Sequence, residues 1–115
     1  MAKENEGVIQ ASGIFDGQTS RGNFDVQLKA RFSNEELANA LQFVAGIGKR
    51  MNLIAIVENV KVKLGQFSVY TIRIDRDGNC YITFKSNIDS VFPDNFSKLM
   101  VEEAIITFKA KLIEE

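Results

Sequence analysis

Residues 67–84 read Phe-Ser-Val-Tyr-Thr-Ile-Arg-Ile-Asp-Arg-Asp-Gly-Asn-Cys-Tyr-Ile-Thr-Phe. β-branched and aromatic residues flank an Asp-Gly-Asn cluster, the pattern of two strands joined by a tight turn. A two-residue turn at Asp77-Gly78 would set Ile74 opposite Tyr81 and Arg73 opposite Ile82, leaving both faces half polar. A three-residue loop, Asp77-Gly78-Asn79, sets Arg76 opposite Cys80, Ile74 opposite Ile82 and Ile72 opposite Phe84. That register collects the aliphatic side chains on one face, and a one-residue slip would undo it. The odd loop is expected, with Asn79 as its left-handed residue.

The same alternation appears on either side of this hairpin. Phe24, Val26, Leu28, Ala30 and Phe32 share one face, with Asp25, Gln27, Lys29 and Arg31 on the other. Val8–Phe15 reads as a strand weakened by Gly13, and residues 16–23 are rich in turn formers and read as a loop. Leu53–Val57 is continuously apolar, as for a strand covered on both faces. Val60–Leu64 alternates and points Lys61 and Lys63 outward, and Gly65 marks a bulge or turn before Phe67. Ala104–Ile113 alternates again, with Thr107, Lys109 and Lys111 outward. Residues 86–94 read as a loop around Pro93, and 96–100 as a short helical turn.

One main helix is expected over about residues 33–49. Ser33 and Glu36 have capping-box spacing, and Leu37, Ala40, Leu41, Val44 and Ile47 recur at helical intervals. The expected fold is thus α+β and mainly antiparallel β, with about six strands in a small sandwich or an OB-like, curled barrel. Residues 1–6 form a polar tail, and 7–115 a single domain, in keeping with a 115-residue chain.

Composition excludes several kinds of chemistry. With no histidine and one cysteine, Ser-His-Asp and Cys-His schemes and cysteine-rich metal sites within one chain are ruled out. Gly46-Ile47-Gly48-Lys49 lacks the upstream glycine and following Ser or Thr of a phosphate loop. The stretch from Arg73 has neither the first nor the last carboxylate of a calcium loop. Neither a catalytic residue nor a cofactor is expected. Cys80 reads as a small strand filler. No apolar run reaches the ~18 residues of a membrane helix, and no apolar leader follows Met1. A cytoplasmic location is expected, with no membrane partner.

What stands out is the distribution of charge in a chain whose net charge is −1. The outward strand positions are Asp25, Gln27, Lys29, Arg31, Lys61, Lys63, Thr71, Arg73, Asp75, Tyr81, Thr83, Lys85, Thr107, Lys109 and Lys111. Eight of these fifteen are basic and two acidic, so near-neutrality can hide a basic sheet face. Cations that follow phosphates beside aromatic rings are the equipment of sequence-tolerant single-strand binders. Lys29, Arg31, Lys61, Lys63, Arg73, Lys85, Lys109 and Lys111 are the candidate phosphate contacts, with Tyr81 stacking and Tyr70 at the edge. Lysines on strands also guard exposed sheet edges against aggregation, so the structural reading stays open beside the functional one. Phe15, Phe24, Phe32, Phe43, Phe67, Phe84 and Phe108 read as core packing rather than base-stacking.

Residues 64–67 (Leu-Gly-Gln-Phe), with 72–78 (Ile-Arg-Ile-Asp-Arg-Asp-Gly) and 82–86 (Ile-Thr-Phe-Lys-Ser), resemble small early proteins encoded by viruses of Gram-positive bacteria. The resemblance implies a bacteriophage replication or recombination module, of a kind that often includes single-stranded DNA-binding proteins. The chain ends Ile113-Glu114-Glu115 and lacks the acidic tip with a final Phe of the bacterial single-strand binders. The expected function is non-catalytic binding of nucleic acid, preferentially single-stranded DNA, by a homo-oligomer. The alternative is a protein-interaction module, either a phage inhibitor of a host factor or a self-assembling structural protein.

Overall fold

A computed structural model describes residues 8–21, 25–87 and 105–113. Six strands run in chain order as β1 (Val8–Arg21), β2 (Asp25–Phe32), β3 (Met51–Val57), β4 (Val60–Ile74), β5 (Cys80–Asn87) and β6 (Ile105–Leu112). Each pairs antiparallel with two neighbours, and the sheet closes into a barrel in the ring order β1-β2-β5-β4-β3-β6. The mainly antiparallel fold with one helical segment agrees with the sequence. No described helix is long and apolar enough to cross a membrane. The expected tail at 1–6, Phe24, residues 88–94 of the loop expected at 86–94 and the turn at 96–100 lie outside the described residues, while Ser86 and Asn87 belong to β5 and not to that loop.

Strand β4 explains how the sheet closes. Its buried residues are Val62 and Leu64, then Phe67 and Val69, after which Ile72 faces Ile82. The inward parity therefore switches from even to odd at Gly65 and back to even at Tyr70. The pairing shifts register at both places, opposite Leu53/Ile54 on β3 and between Val69 and Thr71 on the β5 side. Each bulge bends the strand and raises its twist. One 15-residue strand can then pair with β3 through its first half and with β5 through its second.

The central hairpin keeps the expected face assignment but not the expected register. Ile74 pairs with Cys80 and Ile72 with Ile82, so the loop is five residues, Asp75–Asn79, rather than three. A change of two residues preserves parity, which is why Ile72 and Ile82 still point inward, although Ile74, at the end of β4, is 47% exposed. The longer loop forms because Asp75 organises it. Its amide donates to Asn79 O (3.0 Å), and its carbonyl accepts from Gly78 N (3.2 Å). The left-handed residue is Gly78, at φ +84°, and not Asn79.

The helix is shorter than 33–49. A 3-10 turn at Asn34–Glu36 leads into α1 (Leu37–Ala40), and a second 3-10 turn occupies Leu41–Gly46. The covered positions are Leu37, Ala40, Phe43 and Gly46, a spacing of three that belongs to the 3-10 helix. Val44 and Ile47, expected on the buried stripe, are each 51% exposed. The capping box does not form either. Ser33 makes no side-chain cap, and Glu36 Oε1 accepts from the Ser12 amide at 2.7 Å, tying the segment to β1.

This geometry drives Phe43 into the barrel, where it meets Phe32, Phe84 and Phe108. Centroid distances are 6.1 Å for Phe32–Phe43, 5.2 Å for Phe43–Phe84, 6.1 Å for Phe84–Phe108 and 5.7 Å for Phe32–Phe108, a closed circuit of stacked and edge-on contacts. With Phe67 they are all buried, as expected, while Phe15 is half-buried. Burying each ring stabilises the fold by about 1.5–3 kcal/mol. Gly13 lets this core close, since a Cβ there would lie 2.5 Å from Arg31 O and 2.6 Å from the Phe32 ring.

The segment expected to be a loop at 16–23 instead continues β1 as far as Arg21, paired to β2 after a bulge at Phe15/Gly17. Strand β3 is covered on one face only. Leu53 and Ala55 are buried, but Ile54 and Ile56 keep partial exposure on the outer surface, because a ring of strands has a single inside.

Candidate nucleic-acid interface

Alternation on a closed barrel sends one set of side chains to the core and the other to the surface all the way round. The basic candidates all fall in the outer set: Lys29, Arg31, Lys61, Lys63, Arg73 and Lys111 are exposed, and Lys85 and Lys109 half-buried. Barrel closure, however, turns the expected single face into two walls.

The first wall is centred on β5 and flanked by β2 and the second half of β4. Its rows follow from the pairing. Arg31, Tyr81 and Arg73 lie side by side, as do Lys29, Thr83 and Thr71, and Gln27, Lys85 and Ser68. Directly opposed side chains sit about 4.5–5.5 Å apart at Cβ, so these rows form one surface. The Arg73 guanidinium lies 4.4 Å from the centroid of the Tyr81 ring, and Lys85 Nζ 5.0 Å from that of Tyr70. Tyr81 is also held at its far end, where its hydroxyl donates to Asp75 Oδ2 (3.3 Å). One face of this ring is therefore already covered by a guanidinium plane.

Asp75 is the anchor of that wall. Its carboxylate accepts from the amides of Asp77 (2.9 Å) and Asn79 (3.0 Å), from Asn79 Nδ2 (3.3 Å) and from Tyr81 Oη. Desolvation pushes its carboxyl upward, but these donors, led by the Asn79 amide, together hold it below the ordinary carboxylate value. It was expected as an outward acid among the cations; it orders the loop and orients Tyr81 instead. Tyr70 is more central than expected and is 55% exposed. The switch in apolar parity between Val69 and Ile72 was the signal for it, since a bulge there turns both Tyr70 and Thr71 outward.

The second wall spans the first half of β4, β3 and β6. Lys63, Ile54 and Lys109 form one row, Lys61, Ile56 and Thr107 the next, and Asn52 pairs with Lys111. Here the cations surround isoleucines. In the ring order the wall centres, β5 and β3, stand two strands apart with β4 between them, so the walls adjoin along β4 and diverge around the barrel instead of sharing one face. Among the described residues, Lys29, Arg31, Lys61, Lys63, Lys109 and Lys111 make no ion pair with a carboxylate.

A cleft of about 520 Å³ opens beside the first wall, between β1 and the start of the helical segment, with Ser12, Arg31, Glu35, Glu36 and Asn79 in its lining. It carries both signs of charge, and Glu36 within it is engaged by β1. Cys80 is buried, and burial pushes its thiol up, away from reactive thiolate character. The chain matches no protein-family model and no curated protein sequence.

Proposed function

We propose that this protein binds nucleic acid without catalysis, preferring single-stranded DNA, through the first wall. Lys29, Arg31, Arg73 and Lys85 would contact phosphates, and the Arg73–Tyr81 pair would present a planar surface to a base. The observation that carries this reading is the Arg31–Tyr81–Arg73 row: two arginines flank a tyrosine across three neighbouring strands, with the Arg73 guanidinium over its ring. Arginine planes and aromatic rings are the surfaces on which unpaired bases stack.

Closure of the barrel adds a second support. Lysines that guard sheet edges need edges to guard, and Lys29, Arg31 and Lys85 sit at strand positions paired on both sides. The resemblance to bacteriophage early proteins and a role as a cytoplasmic homo-oligomer belong to the same proposal. The test is a titration of a labelled single-stranded oligonucleotide at two salt concentrations. Binding should weaken steeply with salt, with a log–log slope of about −3 for four contacted phosphates. Absence of binding at low salt overturns the reading.

The second reading is a protein-interaction module. It draws on the outer side of the helical segment, where Leu41, Val44 and Ile47 are 38%, 51% and 51% exposed. Binding through those residues would respond little to salt.

A further inference from the structure

We infer that the lysine wall is a second, separate nucleic-acid site, so that one chain holds two strands at once. The inference rests on the reading above and extends it from one wall to both. No cation is shared between the walls. Strand β4 serves both, but Lys61 and Lys63 precede its Gly65 bulge, and Arg73 follows the bulge at Tyr70. A strand seated on Arg31, Tyr81 and Arg73 lies over β2, β5 and the second half of β4, and leaves Lys63, Lys109 and Lys111, on the first half of β4 and on β6, uncontacted.

The chemistry of the second wall also differs. Its cations are all lysines, and the described outward positions between them are Asn52, Ile54, Ile56 and Thr107. Lysine is a flexible point charge with no plane to set against a base. Isoleucine offers apolar area but no π-face. Such a surface recognises a phosphodiester backbone and is indifferent to its bases, so its ligand is the backbone of a second single strand or of a duplex. The first wall holds a strand by phosphates and bases together; the second holds a neighbour by charge alone. Bringing two strands to adjoining sides of one small barrel is the arrangement needed to pair or exchange them.

The molecule supplies its own reporter. The chain has no tryptophan and only two tyrosines, Tyr70 and Tyr81, both on the first wall. Native mass spectrometry with a hexadeoxyadenylate, which does not pair with itself and is about 20 Å long when stacked, should find two oligonucleotides per chain. The first equivalent should change the tyrosine emission and the second should not. Donor- and acceptor-labelled copies should show energy transfer on adding protein. In the K61Q/K63Q/K109Q/K111Q variant the transfer and the second equivalent should vanish, while the first equivalent and its emission change persist. A duplex competitor that removes only the second equivalent identifies duplex backbone as its occupant; failure to compete identifies a single strand. One oligonucleotide per wild-type chain overturns the inference and leaves the single-site reading standing, as does a second equivalent that still perturbs the tyrosines. No oligonucleotide bound at all overturns both.

Discussion

The wall around β5 sets its cations among tyrosines, and the wall shared by β3 and β6 sets its cations among isoleucines. Their turns differ as well. The β4–β5 hairpin is closed by a five-residue loop knitted around the Asp75 carboxylate. The β3–β4 hairpin is closed by Glu58 and Asn59, both at positive φ, +49° and +69°. The first region is built for a defined geometry, with a ring clamped at its hydroxyl and capped by a guanidinium. The second presents charge on side chains that nothing described holds in place. The contrast teaches that equal numbers of cations on one barrel need not make equal surfaces: under the proposed function, organisation around the charge would decide whether bases as well as phosphates are read.

The largest expected effect separates the walls by charge. The K29Q/R31Q/R73Q/K85Q variant should lose at least about a hundredfold in affinity for a single-stranded oligonucleotide at low salt, with its salt slope shallower by about 3. The matching four-lysine variant of the other wall should leave the first binding event within about threefold of wild type. Fluorescence anisotropy across a salt series measures both. Equal losses would show that the walls act as one surface and would break the comparison.

A finer test isolates the planar surface. Arg73→Lys keeps the charge and removes the plane over Tyr81. Base stacking contributes about 1–3 kcal/mol, so affinity for a base-bearing strand should fall by about tenfold. Affinity for an abasic strand of the same length should not change. Lys109→Arg on the second wall should alter neither. An equal loss for the two strands after Arg73→Lys would mean that Arg73 acts as a charge alone.

Much of this was legible in the sequence, and the gaps have physical causes. Side-chain alternation gave the inner and outer sets of β2, β5 and β6 correctly, because a period of two survives any even error in register. That is why the hairpin faces were right although its loop is two residues longer. Alternation says nothing about which strand neighbours which, so it could not foresee that closure would turn one basic face into two. The helix was misread because Leu37, Ala40, Leu41, Val44 and Ile47 fit a 3.6-residue period, whereas packing against the barrel selects Leu37, Ala40, Phe43 and Gly46. Asp75 looked like an exposed acid on a strand, since its hydrogen bonds depend on how the loop folds back.

Acid should loosen the tyrosine wall before the lysine wall. The Asp75 carboxyl is held below its ordinary value in the folded state. Its contribution is therefore fully present above the unfolded value of about 3.9 and is lost as pH falls through the lower folded value. Thermal melts followed by tyrosine emission should show stability declining over that acidic interval. In Asp75→Asn, which cannot gain a proton there, the decline should be smaller, and Tyr81 emission should already differ at neutral pH. An unchanged acid profile in the variant would show that Asp75 does not order the loop.

The smallest expected effect lies at the other turn. Consecutive positive φ angles at the tip of a two-residue hairpin define the type I′ geometry, which favours Asn and Gly. Asn59 suits that conformation; Glu58 does not, because its Cβ crowds the carbonyl in the left-handed region, at a cost of about 1–2 kcal/mol. Asparagine tolerates the same angles better through its short polar side chain. Glu58→Asn should therefore stabilise the protein by about 0.5–1 kcal/mol, read as a higher denaturation midpoint at unchanged slope. It also removes a negative charge beside the lysine wall, so the second binding event should tighten slightly while the first does not move. Stabilisation without that selective tightening would confine Glu58 to the turn. Tightening of both events together would mean that its field reaches around the barrel, and that the walls are less independent than their positions imply.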